Sequence, residues 1–188
     1  MFRKYLVLSL IILVGSGCIA QGNLPAQKAL IDTFILKNNV KPIILAKTAD
    51  KPDLIEFDGI EYPPYIQFSY YIYRDASNKI VKISECPYSD NADWSICMSQ
   101  YFNQQGNTFA YEKLATYFSI ICSEGIAVES KCEYYSDNFQ MVDKSYQFTD
   151  EYKKDLAKEN CEPPVNTPYI VIKNLNEYMG KKNIKLAK

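Results

Sequence analysis

Between residues 65 and 148 the chain repeats with a period of two, and this period restricts the middle of the protein to sheet. Ile66, Phe68, Tyr70 and Ile72 fall on one face of a strand, and Gln67, Ser69, Tyr71 and Tyr73 on the other. Ile96, Met98, Gln100 and Phe102 continue the alternation, and 109–121, 128–135 and 139–148 read as further strands. One face is apolar and the other mixes polar with aromatic side chains, as expected for an antiparallel sheet with one side on a core. The expected fold is mainly β (α+β): an antiparallel meander of roughly six to eight strands with an N-terminal and a C-terminal flanking helix.

The flanks support this. In 24–37, Ala26, Leu30 and Phe34, with Ile31 and Ile35, recur at helical steps, and Pro25 falls in the first turn, where it is tolerated. Residues 41–47 hold the apolar run Ile43-Ile44-Leu45, a first strand. Asp58-Gly59 between 54–57 and 60–62 predicts a tight hairpin, which Pro63-Pro64 ends. Past Phe148 the chain turns charged and then proline-rich. A short strand is expected at 169–172, and Asn174 caps a last helix running from Leu175 to about Lys182.

The strands repeat at a coarser period as well. Ile72-Tyr73-Arg74-Asp75 leads through Ser77-Asn78 to Lys79-Ile80; Tyr101-Phe102-Asn103-Gln104 through Gly106-Asn107 to Thr108-Phe109; Tyr134-Tyr135-Ser136 through Asp137-Asn138 to Phe139-Gln140. Each unit is an aromatic pair, a polar turn and a returning strand, which suggests stacked supersecondary units. Residues 70–145 thereby resemble the MORN-type and YD-type hairpin repeats of bacterial envelope proteins. The resemblance implies a β-meander and brings no catalytic residue with it.

Ahead of the first helix, Arg3 and Lys4 precede an apolar run at 6–14 and the small residues Gly15-Ser16-Gly17-Cys18. This is the order of a secretory signal, and the run is shorter than the roughly 20 residues of a membrane span. The expected organisation is a signal peptide at 1–20 and a single β-rich domain at 21–188, its hairpin meander at about 65–148. Two processing sites compete: cleavage after Ala20, or a lipobox in which Cys18 is acylated. The lipobox departs from the usual pattern at Gly15, where a branched aliphatic residue is normal. The destination is then the periplasm, the outer membrane as a lipoprotein, or the medium. The abundance of Asn, Ile, Lys and Tyr, and the lack of any Asn-x-Ser/Thr acceptor site, fit a bacterial source.

Either route leaves Cys86, Cys97, Cys122, Cys132 and Cys161, an odd number, so two bridges and one thiol are expected in an oxidising compartment. Cys86 and Cys97 flank a turn-rich loop and make a natural pair. Cys122 has two possible partners, Cys132 across the 123–125 turn or Cys161 in the later loop. No C-x-x-C motif supports redox chemistry.

The chain has no histidine. Ser-His-Asp and Cys-His nucleophile systems, and His-containing zinc sites, are therefore impossible. Its formal net charge is −1 before the basic leader is removed, and no basic block exists to engage phosphates. Nucleic-acid binding is excluded on that ground, and no cofactor is expected. Tyr65, Tyr71, Tyr73, Tyr101 and Tyr135 form a candidate interaction face for a partner protein or a glycan, although cross-strand packing uses the same rings. Asp90, Asp93 and Trp94 share a loop without calcium-ligand spacing. Glu124, Glu129 and Glu133 supply carboxylates for a glycan hydrolase, the enzyme alternative. The preferred expectation is an exported, non-catalytic binding or interaction module, with membrane contact only through Cys18. A periplasmic inhibitor or immunity protein is the third.

Overall fold

The computed structural model describes residues 23–118, 120–122 and 125–186. The leader, Cys18 and Glu124 lie outside them. The described chain forms helix α1 (Leu24–Lys37), strands β1 (Ile43–Thr48), β2 (Ile55–Phe57), β3 (Ile66–Arg74), β4 (Ile80–Pro87), β5 (Trp94–Phe102), β6 (Thr108–Tyr117), β7 (Ala127–Tyr135) and β8 (Met141–Asp150), and helix α2 (Leu175–Lys181). The strands make one antiparallel sheet of eight in the order β2-β1-β3-β4-β5-β6-β7-β8. From β3 onward it is a plain meander.

Four turns share a geometry, three at one end of the sheet and the fourth, after β8, at the other. Asp75, Asn103, Ser136 and Asp150 each donate their N–H to the carbonyl four residues on, at 2.8 to 3.1 Å. In each turn the residue three further on has positive φ: Asn78 64°, Gly106 80°, Phe139 62° and Lys153 66°. This is a type I turn closed by a bulge, and the strand register shifts beside the first three of them, at Tyr73/Arg74, Tyr101/Phe102 and Tyr134/Tyr135. The leading side chain completes the turn. Asp75 Oδ1 accepts from the Ser77 and Lys79 amides, and Asn103 Oδ1 from those of Gln105 and Asn107. Asn and Gly adopt positive φ at little cost, whereas Phe139 needs compensation. Its ring stacks on Tyr135 at 5.0 Å between centroids.

The hairpin expected about Asp58-Gly59 does not form. Gly59 does take positive φ, 81°, but β2 pairs backward with β1 (Ile44 opposite Phe57), and 60–62 form no strand. Tyr62 instead returns to within 5.4 Å of the Phe57 ring. The sheet's edges are blunted. β2 has three residues, while β8 carries Asp143, Lys144 and a bulge, and Leu156 N–H caps the Phe148 carbonyl at its far end.

The core lies on the face of Tyr70, Ile72, Ile83, Ile96, Met98, Tyr111, Tyr117 and Phe148, beneath 156–186. Within this covering segment, 169–172 is extended but is not a strand. Every strand beneath it already has its sheet partners, so the segment crosses the face and a side chain must hold it. Buried Gln100 does so: its Nε2 donates to the Ile172 carbonyl and its Oε1 accepts from the Ile172 amide, both at 2.8 Å. Two ion pairs are buried on this side, Lys113–Glu129 at 2.6 Å and Lys182–Glu85 at 2.7 Å.

Cys86–Cys97 is bridged across β4 and β5, with Cα atoms 4.3 Å apart, and Cys122–Cys161 at 6.1 Å. Of the two partners open to Cys122, the fold selects Cys161. Cys132 stands opposite Glu112 in mid-strand, five residues up from the Ala127–Tyr117 pair that ends the ladder. At about 3.4 Å per residue it is well out of reach of a thiol beyond that end. Cys132 is left as a free thiol. Disulfides persist in oxidising compartments, so the pairs place the folded chain in a periplasmic or extracellular setting. Among the described residues no helix is long and apolar enough to cross a membrane.

Candidate functional site

The second face of the sheet is divided. α1 is capped by Asn23, whose Oδ1 accepts the Ala26 amide, and lies across β4 to β7 with Lys28 and Asp32 turned inward. Lys28 binds Asp32 at 2.8 Å and Glu112 at 2.7 Å, and Lys82 binds Asp32 at 2.9 Å. All four surround the Tyr101 ring and hydroxyl. Both ammonium groups lie 4.8 Å from its centroid, and both carboxylates reach its OH. Burial by itself would raise the Asp32 carboxyl, but the bonds from Lys28 and Lys82 outweigh it and hold the group below its ordinary value. Lys28 is held above its ordinary value by Asp32 and Glu112 despite burial. Leu24 and Ile31 pack inward beside these charges, while Leu30 and Leu36 are exposed. Cys132 faces this clasp, where burial and the Glu112 charge raise its thiol. A protonated thiol is a poor nucleophile.

Beyond the clasp the same face is open. Alternate residues of β3, β4 and β5 point into it: Ser69, Tyr71 and Tyr73; Ser84 and Cys86; Ser95 and Cys97. Serines and a disulfide make a low floor, and aromatic rings rise around it. Tyr62 from the loop after β2, Tyr88 from the loop after β4, Trp94 at the start of β5 and Phe118 just past β6 complete a groove of about 480 Å³. Tyr62 lies 6.3 Å from Tyr88 between centroids, and its hydroxyl 3.4 Å from that of Tyr71. Tyr62, Tyr88 and Phe118 each keep about half of their surface in solvent, a cluster of exposed aromatics around one space. None of the described lining residues carries a charge. The Tyr71 hydroxyl is pushed up to about 12 by burial and then by its bond to Tyr62, so it stays protonated at neutral pH.

The five tyrosines expected on one face are thus separated. Tyr71 and Tyr73 line the groove. Tyr101 is completely buried beneath α1, and Tyr135 is buried on the core side against Phe139, its hydroxyl donating to Glu133. Tyr65, at φ 59°, is exposed in the loop before β3, off the sheet face. The carboxylates proposed for hydrolysis lie on the other side. Glu129 is buried against Lys113 and the Tyr117 hydroxyl, and Glu133 pairs with Lys131 at 2.7 Å. Asp90 and Asp93 are exposed beside the groove, and Asp93 accepts from Ser89 Oγ at 2.9 Å. Among the described residues no group of three or more acidic or cysteine side chains gathers to hold a metal ion.

Tyr88 was missed because it lies in the loop after β4, and Tyr62 and Phe118 because 60–62 and 109–121 read as strands whereas the structure forms none at 60–62 and ends β6 at Tyr117. Ser69, Ser84, Ser95 and Ser99, which share the face of Tyr71, were the sequence's available sign of a trough. Comparison with models of protein families, with curated proteins and with solved structures returned no match.

Proposed function

We propose that this chain is a non-catalytic binding module of a bacterial envelope, exported by its leader and tethered to the membrane through Cys18, which captures its ligand in the aromatic groove. The observation that carries the reading is the groove itself. A space of about 480 Å³ falls within the range of ligand sites, roughly 300–1,000 Å³. It is walled by rings left half in water. A bridged floor holds its shape, since Cys86–Cys97 joins the two central strands beneath it. Its lining offers hydroxyls and apolar rings and neither a carboxylate nor an amine, so general acid–base catalysis has no group there suited to neutral pH.

The test compares the mature protein with a Tyr62→Ser/Tyr88→Ser variant in capture from native envelope extracts. The expected result is a partner recovered by the first and lost by the second, at equal melting temperature. Equal recovery by both excludes the groove as the binding surface. Intact-mass analysis addresses export separately. A chain starting at acylated Cys18 is expected, a start at Gln21 removes the tether, and a chain retaining Met1 in the cytoplasm overturns export.

A further inference from the structure

We infer that the occupant of the groove is a neutral carbohydrate chain; this rests on the groove being the binding site proposed above. Three features of the lining select that chemistry. No charge faces the space, so a phosphate, a carboxylate or an ammonium group would lose its hydration with nothing to pair with. The available polar groups are hydroxyls, from Ser69, Ser95, Tyr62 and Tyr71 among others, and a hydroxyl both donates and accepts. A polyhydroxylated ligand meets such a surface in kind.

The third feature separates sugar from peptide. An extended peptide is usually taken up by pairing its backbone with a free sheet edge. Here β3, β4 and β5 are central strands with a neighbour on each side, and where the β4–β5 ladder ends at Glu85–Met98 the Cys86–Cys97 bridge holds the two strands 4.3 Å apart between Cα atoms, so no open sheet edge is presented to an incoming strand. Tyr62 and Tyr88 stand at the rim with centroids 6.3 Å apart and planes inclined at 41°, two half-exposed rings against which the C–H face of a sugar unit can stack. The hydroxyl floor then receives the edges of the sugar rings.

Trp94 lines the groove and is the chain's single tryptophan, so its emission, excited where tyrosine does not absorb, reports occupancy of this site. The experiment titrates the mature protein with neutral glucose oligomers, neutral N-acetylglucosamine oligomers, an anionic galacturonate oligomer and an uncharged aromatic peptide. The expected result is a saturable Trp94 change with a neutral oligomer, weakened about tenfold in Tyr62→Ser/Tyr88→Ser, as for one lost stacking contact. A saturable response to the peptide and to no oligosaccharide overturns the carbohydrate assignment while leaving the groove as a binding site. A response to the anionic oligomer alone overturns neutrality. Sugar binding unchanged in the variant places the sugar elsewhere and overturns the inference, as does silence with every probe. In the last case envelope capture by the two proteins decides the groove reading independently.

Discussion

Tyr101 and Tyr71 stand on the same face of one sheet, separated by a single strand, and they meet opposite fates. Tyr101 is sealed beneath α1 with a carboxylate on either side of its hydroxyl, while Tyr71 borders an open groove with only Tyr62 at its hydroxyl. Residue type does not decide between them, and neither does strand periodicity. The difference is what surrounds each ring. Lys82 and Glu112 give α1 two fixed charges to dock on, and Lys28 and Asp32 complement them. At the groove, serines and a disulfide give a helix nothing to bind. A face of alternating tyrosines becomes core where a charged clasp recruits a cover, and surface where it does not.

The sharpest way to break this comparison is to truncate both kinds of ring. Tyr101→Ala removes a fully buried aromatic and leaves two lysines and two carboxylates around a cavity. It should cost about 3–5 kcal/mol by chemical denaturation. A loss below about 1 kcal/mol would mean that α1 is not a true cover.

The Cys86→Ser/Cys97→Ser pair probes the open half. Losing the bridge should cost about 3 kcal/mol in the chain-entropy model and should blunt any ligand response of Trp94. Full stability with an unchanged response would show that the floor needs no bridge.

Acid should loosen the covered half alone. Because the folded Asp32 carboxyl lies below its ordinary value of 3.8, its contribution is complete above that value and is lost as pH falls through the lower folded one. Hydrogen exchange of α1, corrected for intrinsic rate, should therefore quicken in strong acid before that of β3 to β5, and Asp32→Asn should quicken it at neutral pH. Uniform quickening of the sheet and α1 together would remove the distinction between the halves.

The smallest effect belongs to the groove rim. Tyr62→Ser and Tyr88→Ser should each change stability by about 0.5 kcal/mol or less, since the rings are half solvated. A cost of about 2 kcal/mol or more from either would mark the rim as packing and withdraw the surface on which the functional reading rests.

Much of this architecture was legible from local signals. Asn174 caps the last helix as its position predicts, and the polar turns at 75–79, 103–107 and 136–140 close three hairpins. Cys86 and Cys97 are near enough in sequence for their loop to bring them together. The candidate site was legible in part. Tyr71 and Tyr73 were placed on the correct face, but Tyr101 and Tyr135 were grouped with them because a period of two records parity and not cover. Tyr135 keeps the alternation of Ala127 and Glu129 along β7 and so falls on the core side, opposite to Tyr71, a relation between strands that alternation within one strand does not give.

By itself, then, the sequence determined the sheet, its hairpins and its two faces, because period, capping and turn chemistry act over a few residues. The tertiary structure alone decided where each long segment lies. β2 returns to β1 rather than forward, Cys122 finds Cys161 across the molecule, 169–172 hangs on Gln100, and α1 seals one half of a face. Each of these depends on groups far apart in the chain meeting in space. The groove lies on the part of the second face that α1 does not reach. The charges that recruit the helix sit at one end of β4 and β6, while toward the groove the same face of β3, β4 and β5 carries serine, cysteine and tyrosine.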